Sequence, residues 1–115
     1  MPTYAFMGLD HPPHSMALRD QLRAAHRAYV LANDSMIRLA GALCDGAGNQ
    51  CGSLIIFEAS SADQVRQWLA QEPFHRGGVY RDVQVIEWRL ALNRFAPAEW
   101  AQFAGIPAGT AQARA

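Results

Sequence analysis

The chain has 115 residues, 50% of them hydrophobic and 17% charged, with ten basic side chains balanced by ten acidic ones. That composition suits one domain with a real core and excludes a disordered chain. All the basic residues are Arg and none cluster, and no apolar run reaches the ~18 residues of a membrane span, so neither nucleic acid nor a bilayer is an expected partner.

The stretch from Met1 to Asp10 has no basic flank before its apolar part, so it does not read as a secretory signal. The cysteines, Cys44 and Cys51, are too far apart and too poor in nearby His for a zinc site. They read as free thiols of a reducing, cytoplasmic compartment. They also flank a turn, where a short bridge across a hairpin is sterically allowed.

Thr3 to Leu9 is a short strand, and the His11-Pro12-Pro13-His14 stretch breaks the chain because proline fixes φ and removes a donor. Ser15 is placed to cap a helix running to about Ala32. Leu18, Leu22, Ala25 and Tyr29 recur at helical spacing as its buried stripe, with Arg19, Arg23 and Arg27 beside it. Asn33-Asp34 end the helix. Met36 to Ala42 is the second strand, and Asp45 to Gln50 form a turn-rich loop. Ser53 to Ala59 is a continuous apolar strand. Ser61 and Gln64 form a capping box that opens a second helix, buried through Val65, Trp68 and Leu69 and stopped at Glu72-Pro73. Gly77-Gly78 turn the chain into a fourth strand, Asp82 to Leu90. The domain is expected over residues 1–93. Residues 94–115 read as an extension, with a helical turn or two between Pro97 and Phe103 and a frayed tail after Ile106.

The order β-α-β-β-α-β predicts an α+β, ferredoxin-like fold, with both helices on one face of an antiparallel sheet. Yet the third strand puts Leu54 and Ile56 on one face and Ile55 and Phe57 on the other. The fourth opposes Val83 and Val85 to Ile86, Trp88 and Leu90. A sheet with one wet face should alternate apolar with polar. The second face therefore needs cover, and a homodimer joined sheet to sheet would supply it.

An ordered set of motifs carries a family resemblance. It comprises Arg19-x3-Arg23-x2-His26-x2-Tyr29, the strand Gly52 to Glu58, Glu72-Pro73-Phe74, Gly78-Val79-Tyr80, and Val83 to Trp88. From Tyr4 to Arg89 the sequence resembles the YciI-like (YCII-related) family of small bacterial proteins. The resemblance implies a ferredoxin-like fold dimerised as an α/β barrel of the muconolactone isomerase-like kind. It also implies an active site built on a helix histidine and the acid of a D-P-F type motif. A dehydrochlorinase of chlorinated hydroxyquinols carries this domain. The sequence departs from the family at Glu72, where Asp is usual; the charge is kept and the carboxylate sits one methylene further out.

His26 lies at the edge of the first helix's stripe, and an imidazole exchanges protons near neutrality. A carboxylate from Glu72 would fix its tautomer, as an orienting group does in a catalytic dyad. The alternative is a core histidine satisfied by a structural acid. Arg23, one turn before His26, and Arg19 could hold an anionic group by bidentate contacts, or simply face solvent. Ser53 could offer a hydroxyl, although no nucleophile elbow surrounds it. Tyr29 could send its hydroxyl into a polar pocket, and His75 could line a cleft near Glu72. His11, His14 and His75 lack metal-site spacing, and no phosphate loop or dinucleotide fingerprint is present, so no metal or cofactor is expected. Two functions follow. One is a small cofactor-independent enzyme that moves a proton, isomerises or eliminates on a small, ring-containing substrate. The other is a non-catalytic dimeric module that binds a small molecule or regulates a partner.

Overall fold

The computed structural model describes residues 1–12 and 15–95. Its elements are β1 (Thr3–Asp10), α1 (Met16–Ala32), β2 (Ile37–Cys44), β3 (Gln50–Glu58), α2 (Ala62–Gln71), α3 (Pro73–Arg76) and β4 (Tyr80–Trp88). The four strands form one sheet in the order β2-β3-β1-β4, with every neighbouring pair antiparallel. This is the ferredoxin-like arrangement read from the sequence, with one extra helical turn, α3. The expected turns between Pro97 and Phe103 and the tail after Ile106 fall outside the described residues, as do Pro13 and His14.

Period-two alternation sorts β1 cleanly. Tyr4, Phe6, Gly8 and Asp10 are buried on one side of the strand, while Met7 and Leu9 are exposed on the other. Tyr4 and Phe6 join Ile55 and Phe57 of β3 and Val65, Trp68 and Leu69 of α2 in the core. Trp68 is the hinge of this packing. Its ring meets Phe57 and Tyr29 edge-on, both at 5.0 Å, and its indole N–H donates to the Asn33 carbonyl at 2.7 Å. A buried indole with a satisfied N–H contributes its full apolar area to the core.

Several local expectations shift. The Ser15 hydroxyl makes no cap; it donates to the Val79 carbonyl at 3.0 Å and ties the start of α1 to the approach of β4. At α2 the Ser61 hydroxyl accepts from the Gln64 amide at 3.2 Å, but Gln64 reaches back to Ser60 rather than closing the box on Ser61. The inward face of α1 is rotated from the expected stripe: Ala25 is exposed, and Arg19 is the buried residue of the helix. The buried acid Asp10 draws Arg19 inward, so a charge occupies a place where an apolar residue was expected. β2 runs two residues further, β3 begins three residues earlier, and β4 begins at Tyr80 and ends at Trp88. Both cysteines are free thiols.

The face of the sheet away from the helices carries Ala5, Met7, Leu9, Leu39, Leu54, Ile56, Ile86 and Trp88, as the strand registers require. Ile86 is 55% exposed and Trp88 39%. The sheet is thus apolar on both faces, with helices on one.

Candidate active site

Glu72 occupies the junction of α2 and α3. Pro73 has no amide proton to continue α2, and a residue before proline is driven out of the helical region. Glu72 accordingly has φ −73° and ψ 126°. In that conformation it ends one helix and caps the next: its Oε2 accepts from the His75 amide at 2.8 Å. Its Oε1 meets Nδ1 of His26, which projects from the middle of α1. Glu72 is 2% exposed and the His26 side chain 23%. A carboxylate can only accept, so Nδ1 carries the proton of the pair, and the Nε2 lone pair of a neutral ring is left for other work. The His26 ring lies flat on Phe74, with centroids 3.8 Å apart and planes 8° from parallel. The turn that positions the acid therefore also positions the ring.

A second polar group adjoins the first. Arg19 donates through Nε and Nη2 to the two carboxylate oxygens of Asp10, at 2.7 and 2.9 Å, and both side chains are about 1% exposed. Arg19 Nη2 also donates to the Ser53 hydroxyl at 3.2 Å, and the Tyr80 hydroxyl donates to the same oxygen at 2.8 Å. The guanidinium lies over the rings of Phe74 and Tyr80 at 4.9 and 5.7 Å. Burial pulls the Arg19 pKa down, but hydrogen bonding to Asp10 and its charge more than offset this, and the net direction is up. Burial pushes the Tyr80 phenol up to about 12, with the hydrogen bond to Ser53 pulling the other way and the charge of Glu72 adding to the rise.

His26, Arg19, Ser53 and Phe74 meet at a cleft of about 230 Å³ between α1 and the β2–β3 edge of the sheet. Arg19, His26, Ser53, Gln50 and Phe74 supply its polar and aromatic wall, and Val30, Ile37, Ala40, Gly41, Ala42 and Ile55 the remainder. The small side chains of β2 leave the space that larger ones would fill. The volume is below the ~300–1,000 Å³ of pockets for drug-sized ligands.

Of the residues read from the sequence, His26, Arg19 and Ser53 line this cleft, and Glu72 stands directly behind His26. Arg23 is not brought there. It pairs with Asp20 one turn away on the outside of α1. The Tyr29 hydroxyl donates to the Trp68 carbonyl at 2.6 Å, and burial followed by the charge of Glu72 raises its pKa. His75 contributes its amide to Glu72, and its ring is not among the cleft-lining groups. Asp10, Phe74 and Tyr80 were not picked as site residues. Asp10 left a signal: it continues the inward series Tyr4, Phe6, Gly8, and an acid on a core-facing position requires a cation. Among the described residues, no three His, Cys, Asp or Glu side chains gather as a metal site would require.

Comparison with known proteins follows the same lines. The structure is similar to 5-chloro-2-hydroxyhydroquinone dehydrochlorinase from Burkholderia phenoliruptrix AC1100, solved in complex with 2,5-dihydroxybenzoquinone. The TM-score is 0.70 with 28% identity, covering 77% of this chain and 95% of that one. An antibiotic biosynthesis monooxygenase aligns with a TM-score of 0.48 and 15% identity, over 80% of this chain and 100% of the other. Rv0793 from Mycobacterium tuberculosis aligns at 0.45 and 14%, over 83% and 100%. No curated protein sequence matches the chain. The model of the YCII-related domain matches residues 3–89, and the chain belongs to that family.

Proposed function

We propose that this protein is a small-molecule enzyme in which His26 transfers a proton, Glu72 orients His26, and Arg19 and Ser53 hold an oxygen of the substrate. The observation that carries this reading is the pairing of the His26 ring with a buried carboxylate while the same side chain, 23% exposed, lines a cleft. A histidine serving only to satisfy the core would be sealed by it. With Nδ1 bound to Glu72, Nε2 takes a proton from a ring hydroxyl or from a carbon next to a carbonyl. Returning that proton to another atom completes an isomerisation. Departure of an anion from the neighbouring carbon completes an elimination. The Ser53 hydroxyl, held by Arg19, donates to the oxyanion formed in either case and lowers its energy.

The substrate class we propose is a small oxygenated ring, in keeping with the hydroxylated quinone in the similar dehydrochlorinase. Flat Phe74 and the small β2 side chains suit such a ring. We also propose a homodimer that covers the apolar outer face of the sheet.

The test is turnover of a panel of hydroxylated and halogenated hydroquinones, followed by ultraviolet absorbance and halide release. A competent substrate should be converted by the native chain. His26→Ala should slow conversion by about 10²–10⁴-fold, as loss of a general base does. Binding of ring compounds without any conversion would favour the alternative, a non-catalytic binding module.

A further inference from the structure

Arg19, Ser53 and Tyr80 form a short chain of polar groups in which the Ser53 hydroxyl is the shared acceptor. A guanidinium only donates, so Arg19 Nη2 occupies one lone pair of the Ser53 hydroxyl. Tyr80 donates its phenolic proton to the other. A serine hydroxyl has two lone pairs and one proton. With both lone pairs engaged, Ser53 can only donate, and among the described residues no acceptor receives its proton. Ser53 lines the cleft together with Arg19 and His26.

We propose that Ser53 is a donor-only group that selects a carbonyl, enolate or phenolate oxygen of the ligand, and that Tyr80 is the positioning residue that makes it so. This deepens the reading of the cleft as a small-molecule site, and rests on it, by naming the ligand atom that is recognised. An amine presented at the same point meets donor against donor and loses its water without recompense. Tyr80 does not itself line the cleft, so its effect passes through Ser53. Its place depends on Gly8. A Cβ there would lie 2.7 Å from Tyr80 Cδ1, so only bare backbone lets the ring lie close enough for its hydroxyl to reach Ser53.

Two rings of nearly equal shape test the idea: pentafluorophenol, ionised and accepting at neutral pH, and pentafluoroaniline, which donates. Binding is read by fluorine NMR and by shifts of the His26 ring signals in the full chain. The native protein should prefer the phenolate by at least about tenfold, the scale of one hydrogen bond to a charged group. Ser53→Ala should lower that preference by about tenfold, and Ser53→Thr, which keeps a hydroxyl, should retain most of it. Tyr80→Phe keeps the ring, its edge contact with Phe6 and every cleft-lining side chain. It frees one lone pair of Ser53 and should lower the preference by about three- to tenfold. A purely structural role would weaken both probes together and leave their ratio unchanged. If the ratio stays constant in Ser53→Ala and Tyr80→Phe while the phenolate still shifts His26, the donor assignment is overturned and the cleft stands. If neither probe shifts His26 in the native protein, the reading of the cleft is overturned, and this proposal with it.

Discussion

Glu72 grips the His26 ring with one carboxylate oxygen and caps the α3 turn with the other. The acid is therefore held from two sides, and the ring it holds has Phe74 against its face. A side chain fixed in this way pre-organises its partner, because neither the carboxylate nor the imidazole must be ordered when a ligand arrives.

The first prediction separates orientation from fold. Glu72→Gln keeps the shape and can still cap α3, but its amide can present N–H to Nδ1 and select the other tautomer. Turnover of a competent substrate should fall by about 10²-fold or more, in the range of general acid–base contributions. Nitrogen NMR should show the proton leaving Nδ1. Glu72→Asp keeps the charge, caps helices well and restores the family's usual acid, so it should be tolerated. A nitrogen spectrum identical in Glu72→Gln and the native chain would mean that the pair does not set the tautomer. His26→Ala should leave the fold standing, with a stability loss of about 1–3 kcal/mol from the abandoned Glu72 oxygen.

The second concerns the buried ion pair. Asp10→Ala leaves the Arg19 guanidinium in the interior without its carboxylate, and should cost about 3–5 kcal/mol. Arg19→Met combined with Asp10→Ala removes both charges and should recover much of that loss. Urea midpoints at constant slope measure both. Equal losses in the single and double variants would show that the charge pair is not what holds this end of the sheet.

The third is a pH dependence. An ordinary tyrosine ionises near 10.0, and Tyr80 is pushed up to about 12. Between these values the unfolded chain has shed a proton that the folded chain retains. Stability is therefore full below pH 10 and declines as pH rises towards 12, by on the order of 1–3 kcal/mol. Tyr29 moves in the same direction. Tyr80→Phe should accordingly flatten the alkaline decline without abolishing it, and tyrosinate absorbance should lose its latest-titrating phenol in that variant. An alkaline decline as steep in Tyr80→Phe as in the native protein would contradict this.

The fourth concerns association. The outer face, with Ile86 55% exposed among other apolar side chains, should be covered by a second copy over more than about 1,000 Å². Light scattering at micromolar concentration should give the mass of two chains. Ile86→Arg should shift the distribution towards one chain with its helical circular dichroism unchanged. A native sample that scatters as a single chain would end the proposal.

The architecture was legible because its signals are local. Strand and helix periods, the Ser61 cap, the Glu72-Pro73 break and the glycine turn each act within a few residues, and together they set the order of elements. The two-sided apolar strands were legible for the same reason. His26 and Glu72 could be named as partners only through the family resemblance, since 46 residues separate them in sequence.

Where the structure departs from the sequence reading, the partner that a side chain meets is responsible. Arg19 looked like the flank of an amphipathic stripe, and by itself an arginine belongs in water. Asp10, on a strand nine residues earlier, reverses that preference by offering two acceptors in the interior. Arg23 looked like the better ligand for an anion because it lies one turn from His26, but its angle on α1 sends it to Asp20 instead. Tyr80 stood in the Gly78-Val79-Tyr80 motif but was not read as a site residue, because its contact with Ser53 depends on the bare backbone of Gly8 beneath its ring. The sequence by itself determined the four strands and two long helices, their order and which strands carry apolar faces, because those follow from propensity and periodicity along the chain. Only the tertiary structure decided which polar groups meet, because burial makes a charge or hydroxyl depend on partners that the fold brings from elsewhere.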